Sequence, residues 1–259
     1  MSLIFVINKK IGETPLEALE SFRLEQSIKY NNSSSSDLIQ WKTIPMTYAG
    51  RLDPMAEGEL IILIGDECKN KEKYLGLDKE YEVEILFGVS TDTHDILGLV
   101  DAVVEKSALE QLVAKLQTID LSKYAGKFTQ PYPAYSSKTI NGKQLHELAR
   151  AGELPEEIPQ KKVEIYSISV KNKVQKITAQ KLQSRILKTI DMVKGDFRQD
   201  KIKAKWSQTL MDQNQVFQVV SIKVKCSSGT YMRSLAHKIG QDYGCGALAL
   251  SIKRTKIFL

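Results

Sequence analysis

The chain has 259 residues, 42% hydrophobic and 26% charged, which fits a soluble globular protein large enough for one sizeable core. A formal net charge of +6 favours polyanionic partners, nucleic acid first. Cys68, Cys226 and Cys245 form no CxxC pair, which argues against a disulfide framework or a zinc site and for a reducing, cytoplasmic compartment, and the apolar run at 3–7 is too short for a signal peptide or a membrane span.

Residues 3–7 predict a buried strand. Gly12 then turns the chain into a helix that opens on a capping box, with Thr14 at the N-cap, Pro15 at the first helical position and Glu17 at the third. The helix fades in the polar run Asn31-Asn32-Ser33-Ser34-Ser35-Ser36, which reads as a mobile surface loop. Residues 42–54 lead into a turn around Asp53, and 60–64 predict a second buried strand. Lys79–Phe87 sets Tyr81, Val83, Ile85 and Phe87 against Glu80, Glu82, Glu84 and Leu86, a strand with one wet face for most of its length. Ser107 and Glu110 predict a second capping box, opening a helix to about Leu116; residues 141–151 predict another that stops at Gly152. Residues 163–170 and 217–226 alternate as strands. A helix follows Gly229 with Leu235 and Ile239 on one face, and 247–258 close as a strand. Helices and strands intermix without a strict βαβ rhythm. This predicts an α+β fold, a mixed, mainly antiparallel sheet flanked by helices, in a single domain without internal repeats.

Residues 171–205 hold eleven Lys or Arg against three Asp, with Leu182, Ile186, Ile190 and Val193 at helical spacing. This predicts a basic amphipathic helix docked by one face. Phosphate binding is its functional reading and a solvated face the alternative.

The segment Tyr48-Ala49-Gly50-Arg51-Leu52-Asp53-Pro54-Met55-Ala56-Glu57-Gly58 places a carboxylate on a turn between glycines, next to a buried strand. A carboxylate held that rigidly can act as a nucleophile; Asp-Pro is also ordinary turn chemistry. Asp92, His94 and Asp95 lie too close together to ligate one metal without strain, so turn formation suits the two aspartates better.

Three further segments accompany the Asp53 turn: Lys79-Glu80-Tyr81 with Thr91-Asp92-Thr93-His94-Asp95; Gln130-Pro131-Tyr132-Pro133-Ala134-Tyr135-Ser136 with Leu148-Ala149-Arg150-Ala151-Gly152; and Cys226-Ser227-Ser228-Gly229-Thr230-Tyr231-Met232-Arg233 with Lys253-Arg254-Thr255. In this order the set resembles the TruB-type tRNA pseudouridine synthases, from Asn8 to the C-terminus. The Asp53 turn alone is equally similar to synthases that act on ribosomal RNA; the Thr-Asp-Thr-x-Asp and Cys-Ser-x-Gly-Thr-Tyr segments favour the tRNA branch.

The resemblance implies isomerisation of the T-loop uridine (position 55) of tRNA, without metal or cofactor. It implies Asp53 as nucleophile, Arg233 as its ion-pair partner, and Tyr81 stacked on the flipped base. Tyr48, Tyr231, Ile252 and Lys9 join the substrate-binding set. For Tyr81, Tyr231 and Ile252 core packing is the competing reading, and a surface position is that for Arg233. If residues 230–233 are extended, Tyr231 and Arg233 share one face. Residues 128–159 correspond to the insertion that grips RNA, and 171–205 to a basic helical insertion. A monomer without the C-terminal RNA-binding domain of many relatives is expected.

The chain departs from the family in places. Tyr48 stands where His is usual, Arg51 replaces a small residue, Lys10 and Pro15 stand for Pro and Ser, and His146 stands for Tyr. The rival functions are a ribosomal RNA pseudouridine synthase and a catalytically silent RNA-binding or RNA-folding protein on the same scaffold.

Overall fold

The computed structural model describes residues 2–30, 40–195 and 197–259. The polar run at 31–36 and Asp196 of the basic stretch lie outside the described residues. In chain order the elements are β1 (Ser2–Lys9), α1 (Pro15–Tyr30), β2 (Met46–Ala49), β3 (Glu57–Gly65), α2 (Lys71–Leu75), β4 (Lys79–Phe87), β5 (Val89–Thr91), β6 (Val100–Val103), α3 (Lys106–Gln117), β7 (Gly126–Pro131), β8 (Thr139–Ile140), β9 (Lys143–Gln144), α4 (Leu145–Ala151), β10 (Gln160–Val170), β11 (Gln175–Thr178), α5 (Ala179–Met192), α6 (Gln199–Thr209), β12 (Val216–Cys226), α7 (Met232–Asp242) and β13 (Ala247–Ile257).

Among the described residues nine strands form one sheet in the order β1-β3-β13-β4-β12-β10-β7, with β2 added to β3 and β11 to β12. Of its strand pairs, β13 with β3 runs parallel and the others antiparallel. This is the mixed, mainly antiparallel α+β sheet that strand alternation predicts. Its centre follows the β4 pattern: Tyr81, Val83, Ile85 and Phe87 are buried in the main core with Leu235, Ala236 and Ile239 of α7. The opposite row is less wet than expected, because cations cover it. Glu80 pairs with Lys223 at 3.1 Å, Glu82 with Lys171 at 2.6 Å and Glu84 with Arg185.

The Thr14–Glu17 capping box forms in both directions: the Thr14 N–H donates to the Glu17 carboxylate at 2.8 Å and the Glu17 N–H to the Thr14 hydroxyl at 3.2 Å. Other expectations need correction. β1 is a strand but lies at the sheet's edge; Phe5 and Ile7 pack toward α1, while Ile4 and Val6 are each 43% exposed. A continuous apolar run does not reveal how many faces will be covered. The N-cap of α3 is Glu105, two residues earlier than its capping signal, so Ser107 is already inside the first turn and makes no cap. The Val104 N–H, bonded to the Gly88 carbonyl at 2.9 Å, fixes that earlier entry.

Residues 141–144 are not helical. Asn141 and Gly142, with φ of 49° and 83°, turn the β8–β9 hairpin, and α4 begins only at Leu145 under a Gln144–Glu147 capping box. Gly152 stops α4 in the left-handed conformation, as expected.

The basic stretch is not one helix. It is β11 followed by the pair α5 and α6, broken where Gly195 and Arg198 take positive φ. Leu182, Ile186 and Ile190 of α5 and Ile202 and Trp206 of α6 enter the main core. At about 1.5–3 kcal/mol per large apolar side chain, this burial makes the pair part of the fold, not an appendage.

Candidate active site

The turn that carries Asp53 is anchored before it does any chemistry. Leu52, Met55 and Ala56 are buried around it, and the Ala56 N–H donates to the Asp53 carbonyl at 3.0 Å. The Gly12 N–H holds the Pro54 carbonyl at 2.8 Å. Two buried cations grip the flanks. Lys9, 0% exposed, donates to the carbonyls of Ala56 at 2.6 Å and Lys10 at 2.9 Å. Arg254 donates to the carbonyls of Glu59 at 2.6 Å and of Arg51 and Gly50, each at 3.3 Å. Burial lowers the Lys9 ammonium to about 8, with Glu13 and Asp53 opposing that shift. Gly58 pairs with Lys9 on one side and Arg254 on the other. A Cβ there would sit 2.1 Å from the Arg254 carbonyl oxygen, so only glycine fits.

Arg233 enters from the first turn of α7. Its side chain is 3% exposed, while that of Asp53 remains 37% exposed. Nε donates to Asp53 Oδ2 at 2.8 Å and Nη2 to Asp53 Oδ1 at 3.2 Å, a two-point grip that fixes the carboxylate plane. Nη1 donates to the Thr93 carbonyl at 2.8 Å and Nη2 to the Tyr135 carbonyl at 3.2 Å. Burial works against the guanidinium charge, but Asp53 and Asp95 together hold its pKa above the usual value. Asp95 Oδ2 lies 3.5 Å from Arg233 Nε; Oδ1 accepts from the Thr93 hydroxyl at 2.7 Å and the Leu97 N–H at 2.8 Å. Burial raises the Asp95 carboxyl to about 6 despite Arg233.

Arg233 is already helical, which corrects the reading of 230–233 as extended. Tyr231 is the N-cap of α7, and the two do not share a strand face. Gln130 of β7 clamps the Tyr231 backbone, accepting its N–H at 2.8 Å and donating to its carbonyl at 3.1 Å. The Tyr231 ring meets Tyr132 edge-on at 5.9 Å.

Tyr81 lies on β4 opposite Arg254, and Ile252 opposite Val83, so the four side chains share one buried face. Burial raises the Tyr81 phenol, with the nearby Arg254 charge opposing that shift. Tyr48 lies apart from this group: it packs against the cluster under α1, with the Lys71 ammonium 5.2 Å from its ring centre. Lys9 sits under the turn and faces backbone, not open space.

The residue pattern alone misses three members of the site. Asp95 reads as a turn former, and its Oδ1 is one; its second oxygen faces Arg233. Arg254 stands in the Lys253-Arg254-Thr255 motif without a role. Tyr135 contributes a main-chain carbonyl, for which no side-chain signal exists. Next to Asp95, His94 stacks on His237 with ring centres 3.8 Å apart and planes 7° from parallel. Among the described residues no group of three or more His, Cys, Asp or Glu could hold a metal, and no helix is long and apolar enough to cross a membrane. The arrangement presents a fixed carboxylate, open on one side, on a floor of buried cations and beside an aromatic wall. It suits nucleophilic attack on a planar, polar substrate.

Comparison with known proteins gives a family match. Residues 40–195 match the family described as TruB family pseudouridylate synthase (N terminal domain). The chain is 32% identical over 209 residues to tRNA pseudouridine synthase B of Francisella tularensis subsp. holarctica (strain OSU18), covering 81% of this chain and 54% of that protein. It is 29% identical over 253 residues to tRNA pseudouridine synthase B of Francisella philomiragia subsp. philomiragia, covering 98% and 64%. The chain thus spans between half and two thirds of the length of these relatives. Among solved structures it is similar to a chain of a Cbf5-Nop10-Gar1 complex, with a TM-score of 0.48, 16% identity, and coverage of 98% of this chain and 48% of that one.

Proposed function

The chain belongs to the TruB family of pseudouridylate synthases, and on that premise we propose that it isomerises uridine in tRNA to pseudouridine, with the T-loop uridine at position 55 as target. The observation that carries this reading is the Asp53 carboxylate, held by both oxygens on the buried Arg233 yet still 37% exposed. In the reaction the bond from ribose C1′ to uracil N1 breaks, the base turns, and C1′ bonds to C5. The C5 proton is lost and N1 gains one, so no electrons enter or leave. A carboxylate nucleophile divides this exchange into covalent steps. Arg233 sets its direction of attack. A base inside folded RNA must be extruded to reach Asp53, and Tyr81 and Ile252 offer flat and apolar surfaces to receive it.

Other parts of this reading concern RNA capture. The hairpin and α4 between β7 and β10 form the insertion we assign to gripping the T-arm, and exposed lysines of α5 and α6 to its phosphates. The protein is expected to work as a cytoplasmic monomer without metal or cofactor.

The test is incubation with an unmodified T-arm hairpin and mapping of pseudouridine by mass spectrometry. Product at the single T-loop uridine is expected, and Asp53→Asn is expected to abolish it while RNA binding survives. A ribosomal RNA synthase would leave the hairpin unmodified; a silent binder would also leave full-length tRNA unmodified. Turnover by Asp53→Asn near the parent rate would sink the nucleophile assignment.

A further inference from the structure

We propose that Arg198 is a positioning residue of this active site, through which the α5–α6 pair holds the catalytic arginine in register. The inference rests on the proposed reaction, and goes beyond it by giving the basic stretch a role other than phosphate contact.

Among the described residues, three contacts tie the pair to the loops around Asp53. Met192, the last residue of α5, lies against Gly12, where an added Cβ would fall 2.4 Å from the Met192 carbonyl oxygen. Gly12 in turn holds the carbonyl of Pro54, next to Asp53. Trp206 of α6, 0% exposed, donates its indole N–H to the Ile96 carbonyl at 3.1 Å. That fixes the loop that carries Thr93 and Asp95.

The third point is Arg198, at the N-cap of α6. Its Nη1 donates to Asp92 Oδ2 at 2.9 Å and to the Tyr135 hydroxyl at 3.0 Å. Its guanidinium lies 4.6 Å from the centre of the Tyr135 ring. Asp92 Oδ1 accepts the Leu99 N–H at 2.8 Å, so Asp92 is itself fixed. At its other end Tyr135 offers its carbonyl to Arg233 Nη2, the nitrogen that also holds Asp53 Oδ1. A continuous path therefore runs from Arg198 through Tyr135 and Arg233 to Asp53. Arg198 also adopts φ of 62°, a left-handed conformation that is strained for a side chain of this size. Its contacts with Asp92 and Tyr135 hold it there.

Without Arg198, Tyr135 loses the guanidinium stacked on its ring and one of the two side chains that hold its hydroxyl, the other being Asp92, and its carbonyl is then free to drift. Arg233 then loses the bond that sets the height of Nη2 under Asp53. Small displacements of a reacting group lower rates by large factors while leaving binding nearly intact.

The experiment compares the parent with Arg198→Ala, Arg198→Lys and Tyr135→Phe, using the T-arm hairpin and native-state amide exchange. Arg198→Ala is expected to lower kcat at least about tenfold with KM changed less than about twofold. Arg198→Lys is expected to recover part of the loss, because Lys restores the charge on Asp92 but not the planar contact with Tyr135. Amide exchange across residues 132–138 is expected to quicken in Arg198→Ala. Should that variant fold poorly, Tyr135→Phe removes the hydroxyl half of the link from the other side, keeps the ring packed under Arg198, and is expected to lower kcat by a smaller factor in the same direction. An unchanged kcat in a folded variant, or a loss confined to KM, overturns the proposal. If the parent itself makes no pseudouridine, the proposed function fails; unchanged exchange in residues 132–138 would then overturn the link as well.

Discussion

Arg233 serves four acceptors on three chain segments, and no other cationic side chain can copy that. Lys has one ammonium on a flexible stem and cannot hold both oxygens of Asp53 while also reaching Thr93 and Tyr135. Arg233→Lys is therefore expected to lower single-turnover pseudouridine formation by about a hundredfold or more, with RNA affinity within about twofold of the parent. A rate within a few-fold of the parent would show that charge alone suffices. Arg254 has a different kind of importance. The residue is 1% exposed, and its guanidinium donates to three backbone carbonyls around the Asp53 turn. Arg254→Met takes that donor from three part-buried carbonyls and is expected to destabilise the fold by about 2–4 kcal/mol, read as a lower urea midpoint. The expectation that Asp53 pairs with Arg233 comes from the family resemblance of the motifs, not from residue types alone. The backbone acceptors that complete the pairing were not legible, because a carbonyl belongs to any residue and carries no compositional signal.

At the scale of elements, long alternating strands such as β4 and β12 were readable because one covered face imposes a period of two. Helix signals were less reliable wherever turn chemistry competed with them. Asn141-Gly142 is a strong hairpin dipeptide, and it outranked the helical pattern that follows it. The basic stretch misled in a different way. Its charge suggested a solvated or RNA-facing helix, yet Lys171, Arg185, Arg198 and Lys203 are tied to Glu82, Glu84, Asp92 and Asp191. The partners of the first three come from elsewhere in the chain, and local sequence does not reveal them. Lys181, Lys188, Lys201 and Lys205 are exposed and remain the candidates for binding phosphates. Replacing these four by Gln is expected to weaken T-arm binding and to reduce the slope of log Kd against log salt by about one for each phosphate that is no longer neutralised. An unchanged slope would assign the pair to support of the site alone.

At the scale of the whole molecule, acid acts on two neighbours in opposite directions. Burial, with His237 and Arg233 nearby, holds His94 down at about 3, against 6.5 when exposed. Between those values the unfolded chain takes up a proton that the native one refuses, so His94 makes stability fall as pH drops below about 6.5. Asp95 keeps its proton up to about 6 in the native state, against 3.8 when exposed, so acidification through that window favours the fold. His94→Asn keeps a residue that tolerates φ of 61° and removes the unfavourable arm. Between pH 7.5 and 5, the variant's unfolding free energy is expected to change more favourably than the parent's by about 2 kcal/mol. Equal shifts would place the acid sensitivity elsewhere. The site also draws on distant parts of the chain. Asp53 and Arg233 are 180 residues apart, and Arg254 reaches back 195 positions to Glu59. The Asp53 turn is thus synthesised long before either the clamp of α7 or the floor of β13 exists. The turn around Asp53 is complete only once β13 has paired with β3 and Arg254 has reached its carbonyls, so a chain cut before β13 would leave Asp53 without its floor.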